Sequence, residues 1–351
     1  MNINEDILIN IFNFIDDKNK FQFRILSKEI LILCFNKIIW ILNNKYSYKY
    51  YNDIAFYNKI NNLIKKEKLS LNLEFNSVCF NKHHKDFFND LYYLNLRFTN
   101  IIYVNNINYF TNIKILNLSY TDIKDVSALK NIYDLNLSHT KVIDVSSLTN
   151  VNILDLSYTK VDNISTLTNV YNLNLCNTKV IDISSLKNVK ILNLSYTKVI
   201  DISSLINVII LDLSYTKVMD VSVLKNIQKL NLNFTDIKNV NTLGKLHTLL
   251  LCSTNVTDIT NLGNIHTLDL SFTKINSVNC LNNVKILNVS CTNIIDISYL
   301  VNVEILDISF TCIKDLGKLN KIKYLDISFT TLEKDSKYNY IDDIQTYFKF
   351  F

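Results

Sequence analysis

The stretch VNILDLSYTKVDNISTLTN, from Val151 to Asn169, is one unit of a repeat that runs for twelve copies. The leucine at its fourth position, Leu154, recurs every 19 residues from Leu116 to Leu325 without an insertion, and we number each unit from this leucine as position 0. Two looser units precede the array, and they begin at Leu71 and Leu94. A short constant period of this kind indicates a solenoid, in which neighbouring turns bury each other's apolar side.

The positions of the unit can be read physically. Positions 0 and +2 are aliphatic between polar neighbours, as in Leu154-Asp155-Leu156, and this alternation predicts a short half-buried strand. Positions −3 and +7 are aliphatic throughout, and positions +10 and +13 are aliphatic in the first eleven units. Position +5 is Thr in all twelve units. Because a buried hydroxyl needs a partner, we expect these threonines to bond the backbone of the turns while their methyl groups pack inward.

Strand alternation predicts that positions −1, +1 and +3 face the inside of the curved sheet. Position +1 is Asn or Asp in eleven of the twelve units, and Ile recurs at position −1. These columns form either a partner-binding surface or part of the packing of the solenoid itself, and the Tyr and Phe residues at +4 are better explained by packing. The candidate partner-binding residues are Ile153, Asp155, Ile191, Ile210, Asp212, Asp269, Ile286, Ile305, Asp307 and Asp326.

The repeat pattern, an LxLxxN-like phrase followed by an irregular return, resembles leucine-rich repeats over residues 70–330. Thr stands where the family usually has Asn, and the spacing of +7, +10 and +13 is similar to the internalin-like subclass shortened by three residues. The resemblance implies a curved solenoid with a parallel sheet on its concave side. Because the return segment is too short for a full helix, we expect extended or 3-10 turns on the convex side.

Residues 1–42 lack the period and read as a small helical domain, in which Ile7, Ile11 and Ile15 form one apolar stripe. The segment from Asn4 to Trp40 resembles an F-box without a gap.

The resemblance rests on the phrase DILINIFNFI at 6–15, the phrase LSK at 26–28 and the terminal Trp40. It implies docking on the Skp adaptor of a cullin–RING ubiquitin ligase, with contacts from Ile7, Leu8, Ile11, Phe12 and Leu26. Two positions depart from the family, because Asn4 replaces a Pro and Ile30 replaces a common Trp. The alternative is that these helices only cap the solenoid.

Two flanking segments complete the expected α+β solenoid. Residues 43–69 predict a helical linker or N-terminal cap, with Ile54, Tyr57, Ile60 and Ile64 on one helix face. Residues 331–351 predict a C-terminal helical cap over the last coil, since its apolar residues have helical spacing: Ile341, Ile344, Tyr347, Phe348 and Phe351.

Composition excludes several classes of function. The net charge of +5 is small and dispersed, which argues against nucleic-acid binding. The longest apolar stretch, 30–42, is too short to span a bilayer. The seven cysteines have no regular spacing, and residues 1–17 carry four acids and no basic residue, so we expect free thiols and a cytoplasmic location. The absence of Pro and the presence of only three Gly suggest an AT-rich genome, as in some large DNA viruses and some protists.

No motif for catalysis, a cofactor or a metal is present, and the pair His247 and His266 is a poor metal site by spacing. The sequence therefore predicts a non-enzymatic substrate-recognition adaptor of a ubiquitin ligase, monomeric within its complex. The Skp adaptor and cullin would lie at the N-terminus and an unknown target protein on the concave face. The alternative is a leucine-rich-repeat binding scaffold, and a third class, an adhesin-like surface protein, fits the cysteines poorly.

Overall fold

The computed structural model describes residues 39–42, 44–67, 70–74, 91–99, 113–224, 226–317, 319–333, 338–341 and 345–348. Within these ranges the strands form one 15-stranded sheet in which spatial order follows chain order. All neighbouring strands are parallel. The first three strands are β1 (Ile39–Leu42), β2 (Ser70–Glu74) and β3 (Leu91–Asn95).

The twelve regular units each contribute one strand of three residues. They are β4 (Ile115–Asn117), β5 (Asp134–Asn136), β6 (Ile153–Asp155), β7 (Asn172–Asn174), β8 (Ile191–Asn193), β9 (Ile210–Asp212), β10 (Lys229–Asn231), β11 (Thr248–Leu250), β12 (Thr267–Asp269), β13 (Ile286–Asn288), β14 (Ile305–Asp307) and β15 (Tyr324–Asp326).

The pairing register confirms the 19-residue unit. Leu116 pairs with Leu135, and the same step repeats to the pairing of Leu306 with Leu325. The looser unit at Leu94 pairs with Leu116 as expected. The earliest unit was placed wrongly, because Leu94 pairs with Leu73 and not with Leu71, so the unit begins two residues later than expected. The pairing also shifts by one residue after Leu71, which pairs with Leu91 while Asn72 pairs with Tyr93.

The N-terminal boundary also differs from expectation. Residues 39–42 form β1, so Trp40 belongs to the sheet, where it pairs with Leu71, and does not close a helical block. The other residues of the predicted F-box-like domain, 1–38, lie outside the described residues. The adaptor contacts Ile7, Leu8, Ile11, Phe12 and Leu26 are among them.

Two helices, and not one, fill the predicted linker. They are α1 (Asn44–Asn52) and α2 (Ile54–Glu67), and they connect β1 to β2. Asp53 separates them, because its carboxylate accepts a hydrogen bond from the Phe56 backbone amide at 3.0 Å, as an N-cap residue does. Tyr50 and Ile60 are buried and join the helices to the main core.

One continuous apolar core runs through the solenoid, as the aliphatic positions predict. In the unit of Leu154 every one of them is at most 2% exposed: Val151, Leu154, Leu156, Val161, Ile164 and Leu167. The convex side is extended chain with tight turns, and within the described residues it contains one 3-10 turn of three residues, Ser127–Leu129. None of the described helices is long and apolar enough to cross a membrane.

The threonine ladder closes the turn after each strand. The Thr197 hydroxyl donates to the Leu194 carbonyl at 2.6 Å, three residues earlier in the same coil, and the other eleven threonines at +5 make the equivalent bond. The sequence correctly predicts a bond to the threonine's own turn.

A left-handed residue at +4 lies inside each of these turns, and the sequence does not reveal it. Tyr158 has φ of +58°, and the other +4 residues of the array and Phe98 share this conformation, although none is Gly. Left-handed backbone costs a residue with a Cβ about 1–2 kcal/mol. The conformation directs the Tyr158 amide to the Cys176 carbonyl in the next coil at 2.9 Å, so a hydrogen bond between coils offsets the strain.

The C-terminal segment does not form the predicted helix within its described residues. Tyr340 makes a parallel bridge with Leu325, and Gln345–Phe348 forms a single 3-10 turn. Residues 334–337, 342–344 and 349–351 are not described.

Replacing Thr197 by Val tests the ladder. We expect a loss of about 1 kcal/mol in the free energy of unfolding, because the buried Leu194 carbonyl loses a hydrogen bond while the volume is kept. Thr197→Ser keeps the hydroxyl, and urea denaturation of both variants separates this bond from methyl packing. An unchanged urea midpoint in Thr197→Val would show that the bond contributes nothing.

Candidate functional site

The concave face is the face of the sheet formed by positions −1 and +1 of the strands. In β4–β8 both positions are partly exposed around a buried central leucine. We name this region the open half. Four candidate residues lie on or beside it, since Ile153, Asp155, Ile191 and Ile210 are all partly exposed.

The other end of the concave face is covered. All three residues of β11, β12 and β14 are buried, and in β13 only Ile286 is partly exposed. We name strands β11–β14 the covered half. Three candidate residues in the covered half are buried side chains and not exposed contacts: Asp269, Ile305 and Asp307. Asp212 in β9 and Asp326 in β15 lie outside the covered half and are buried as well.

The chain's own C-terminal segment packs on the covered half. Phe348 is 6% exposed and forms one apolar cluster with Leu250 of β11 and Ile305 of β14, against which Ile286 and Ile341 also pack. The Tyr347 ring lies 5.8 Å from the ring of Tyr324 in β15. The segment thus returns across the sheet from its last strand toward β11.

The Asp and Asn residues at +1 have a structural task in every part of the face. One carboxylate oxygen of Asp155 accepts hydrogen bonds from the backbone amide and the hydroxyl of Ser157, at 2.8 and 2.6 Å. Asp212, Asp269, Asp307 and Asp326 accept the equivalent amide bond at 2.8–2.9 Å. The serines at +3 therefore close the turn, and Ser157 is buried. The column is part of the fold. The second carboxylate oxygen of the partly exposed Asp155 is left for other contacts, whereas that of Asp212 accepts a hydrogen bond from the Asn231 side chain at 3.0 Å.

Burial changes the acid–base properties of this column. It raises the pKa of Asp307 to about 6, and the nearby carboxylates of Asp326 and Asp269 add to the effect, against hydrogen bonds from Ser309. Burial likewise raises the pKa of Asp212 and of Asp269. The amide nitrogen of Asn288, between Asp269 and Asp307 in the column, is buried without a hydrogen-bond partner. The covered half therefore contains one buried polar group, the Asn288 amide nitrogen, without a hydrogen-bond partner, and a buried acid with a raised pKa, Asp307.

The exposed acids at +9 have lowered pKa values, in contrast to the buried acids at +1. The Asp201 carboxylate accepts a hydrogen bond from the Ser203 backbone amide at 2.8 Å, and this bond, with one to the Ser203 side chain, lowers the pKa of Asp201. Equivalent bonds occur at Asp144, Asp182 and Asp220. The acids at +9 therefore cap the turns that follow them.

The aromatic residues at +4 stack on each other along one border of the sheet. Tyr196 and Tyr215 stack with ring centroids 4.2 Å apart, and Tyr215 and Phe234 follow at 4.4 Å. The rings remain substantially exposed, from 40% at Tyr120 to 77% at Phe329. Self-packing explains their spacing, since stacked rings stabilise each other by about 0.5–1.5 kcal/mol.

The described residues contain no group of three or more His, Cys, Asp or Glu side chains that could hold a metal ion. His247 and His266 stack at 4.5 Å and hydrogen-bond the neighbouring Thr248 and Thr267 hydroxyls. The five cysteines in the described part are free thiols: Cys176, Cys252, Cys280, Cys291 and Cys312.

These features define a leucine-rich-repeat solenoid of about twelve regular turns, and solved structures agree. An internalin, InlF from Listeria monocytogenes, is similar with a TM-score of 0.61 and 25% identity, over 70% of this chain and 84% of its own. The functional domain of InlJ from the same species has a TM-score of 0.56 and 17% identity, over 74% of this chain and 66% of its own. Drosophila Toll in its complex with Spatzle has a TM-score of 0.55 and 16% identity, over 81% of this chain and 50% of its own. No family model matches the chain, and no curated protein matches it.

Sequence reasoning missed the packing of the C-terminal segment on the covered half, although one residue indicated it. Leu250 is the single residue at +1 that is neither Asn nor Asp. In the structure it packs on Phe348. An apolar residue that interrupts a polar column, together with an aromatic C-terminus, indicates an intramolecular contact.

Asp307→Asn tests the buried acid, and Asn already occupies +1 in β4, β5 and β13. Folding raises the pKa of Asp307 from 3.8 to about 6, so the folded state binds its proton more tightly than the unfolded chain. This stabilisation is complete below about pH 4 and is lost as the pH rises through 6, which amounts to about 3 kcal/mol. We therefore expect Asp307→Asn to be more stable than wild type at pH 7, with a difference that shrinks toward pH 4.

The measurement is urea denaturation at pH 4, 5, 6 and 7. Asp201→Asn is the matched control. Because folding lowers the pKa of Asp201, its ionised carboxylate stabilises the fold at neutral pH and loses this effect in acid. We therefore expect Asp201→Asn to be less stable than wild type at pH 7, with a difference that shrinks toward pH 4. A difference between wild type and Asp307→Asn that stays constant over this range would contradict the assignment.

Proposed function

We propose that this chain is a protein-binding scaffold whose partner lies on the open half of the concave face. The observation that carries the proposal is the combination of partly exposed Ile153, Ile191 and Ile210 with Asp and Asn side chains on a rigid parallel sheet. Strands about 4.8 Å apart make this region about 20 Å long, which suits an extended or helical segment of a partner. Extended concave surfaces are what repeat proteins use for binding.

One structure of the same fold supports a protein ligand in general terms. Toll, which has the same fold, was solved as a complex with the protein Spatzle. For this chain, the apolar column supplies burial on binding and the polar column supplies hydrogen bonds and charge. The second carboxylate oxygen of Asp155 would accept hydrogen bonds or pair with a basic group of the partner.

Photo-crosslinking tests which face binds. We expect a benzophenone amino acid in place of Ile191 to give a discrete crosslinked polypeptide in cells that express the full chain. The same probe in place of Lys187, which is exposed on the convex side, is the control and gives no such product. Equal crosslinking from both positions, or from neither, would contradict a concave interface.

The polypeptide identified in this way allows a quantitative test. Ile153→Glu with Ile191→Glu is expected to weaken its binding at least tenfold, because contact residues at an interface centre commonly contribute more than 1 kcal/mol each. Lys187→Glu adds the same charge on the other face and is expected to leave the dissociation constant unchanged. Calorimetry measures all three, and a double variant that binds like wild type excludes the open half.

A narrower proposal adds the N-terminal segment. We propose that the scaffold recruits its partner to a cullin–RING ubiquitin ligase in the cytoplasm, with Ile7, Leu8, Ile11, Phe12 and Leu26 on the Skp adaptor. Only the F-box-like sequence from 4 to 40 supports this step. The chain would then act by tethering, which raises the effective concentration of the partner without a catalytic residue of its own.

The adaptor step has a direct test on the full chain. We expect micromolar or tighter binding to the Skp adaptor, which Ile11→Asp with Phe12→Asp abolishes. Ile153→Glu with Ile191→Glu is the matched control and keeps adaptor binding, since it changes only the concave face. Absence of adaptor binding by the wild-type chain removes the ligase proposal and leaves the scaffold.

A further inference from the structure

We infer that Phe348 is a built-in ligand of the covered half, and that this strip accepts an aromatic residue from a partner polypeptide when the chain's own C-terminal segment leaves. The inference rests on the proposed function, because it assigns the chemistry of the partner at the same face. On this inference the concave face has two binding regions: the open half, which is accessible, and the covered half, which Phe348 occupies in the free chain.

The first argument is the way in which the segment is held. Next to the sheet edge, the Leu325 amide donates to the Asn339 carbonyl at 2.9 Å and the Ile341 amide donates to the Leu325 carbonyl at 3.2 Å. These bonds continue the parallel pairing by one rung beyond β15. The segment up to Ile341 therefore closes the end of the sheet, which is a structural role that needs no contact with β11–β14.

The second argument is that Phe348 contacts residues that are not at the edge of the sheet. It reaches back to Ile305 and to Leu250, whose strands precede β15 by one and four coils. A residue that only sealed the last coil would pack on β15. The contact instead uses apolar side chains of β11 and β14 on the concave face, the surface on which repeat proteins bind their ligands.

The third argument is that Leu250 departs from the repeat only in favour of this contact. Asn or Asp at +1 closes its own turn through the amide two residues later, as Asn231 does with Asn233 at 3.0 Å. Leu250 gives up that bond, and the Cys252 amide is bonded by the Asn233 side chain of the preceding coil at 2.7 Å. The chain thus carries an apolar side chain at a position where its own fold uses a polar residue, and this side chain lies in the cluster with Phe348.

The fourth argument is that the cover fits incompletely. Buried polar groups in a permanent core are almost always hydrogen-bonded, yet the Asn288 amide nitrogen has no partner and the Asp307 carboxylate is buried near two others. A partner segment that carries a backbone carbonyl over Asn288 would satisfy this group better than the present cover. The strip as occupied by Phe348 therefore leaves one buried donor unsatisfied, which favours exchange of Phe348 for a partner segment.

Covalent tethering explains how the C-terminal segment can have a low intrinsic affinity for the covered half and still occupy it. An intramolecular ligand acts at an effective concentration of about 1 mM, so a weak contact is occupied in the free chain. A partner that first engages the open half gains the same advantage for its own aromatic residue. The covered half would then add specificity for polypeptides with an aromatic side chain at the right distance.

The test uses the full chain and a fluorescent peptide of its residues 343–351, DIQTYFKFF. Phe348→Ala in the chain vacates the strip, and we expect the peptide to bind this variant at least tenfold more tightly than wild type by fluorescence anisotropy. A peptide with Ala in place of its own Phe348 is expected not to bind. Equal binding to wild type and to Phe348→Ala would overturn the inference.

Leu250→Asn locates the site. This change restores the residue type of the other +1 positions, so the variant is expected to fold, which circular dichroism and thermal unfolding check. Combined with Phe348→Ala, it is expected to abolish peptide binding. Peptide binding that survives Leu250→Asn overturns the assignment of the strip. Crosslinking from Ile191 reports the open half separately, so failure of the built-in ligand and failure of the proposed function give different results.

Discussion

The hydrogen-bonded register between successive coils is the constraint on which the rest of the structure depends. Each amide at +4 donates to the carbonyl at +3 of the next coil, as Tyr196 does to Ser214 at 3.1 Å. One residue inserted between a strand and its turn would move the donors of that coil away from their acceptors and turn buried side chains outward. The uniformity of the buried columns follows, whereas the spacing between coils can vary, since Leu94 pairs with Leu116 across 22 residues. Even the left-handed +4 residues persist because that conformation aims the amide along the stack.

This constraint limits where a function can be placed. The threonines at +5 are engaged in their own turns, and the acids at +9 and at +1 each have one carboxylate oxygen engaged in the same way. Position −1 has no such obligation, because its backbone forms the sheet and its side chain points away from the core. The binding properties of the open half are therefore determined by the −1 residues and by the second carboxylate oxygen of Asp155, which the fold does not require.

The repeat made most of the fold predictable, because a correct interpretation of one unit applies to all twelve. The buried columns, the parallel sheet and the threonine bonds all follow from position-by-position polarity. The parts without repetition were predicted less well. The early unit at Leu71 was displaced by two residues, Trp40 was expected to close the N-terminal helical domain and lies in β1, and the C-terminal segment was expected to be a helix. Helical spacing of apolar residues in a short segment cannot distinguish a helix from a chain whose side chains have separate contacts, as Tyr347 and Phe348 do.

A regular array also raises a problem of specificity that its irregular positions solve. If every coil presented the same side chains, a partner could bind in several registers, each displaced by about 4.8 Å and equal in free energy. The −1 column is not uniform, since Ile153 is followed by Asn172, Ile191 and Ile210, and then by Lys229. A partner that fits this order loses contacts when it moves by one coil. The variable column defines the register of binding, just as the constant columns define the register of folding.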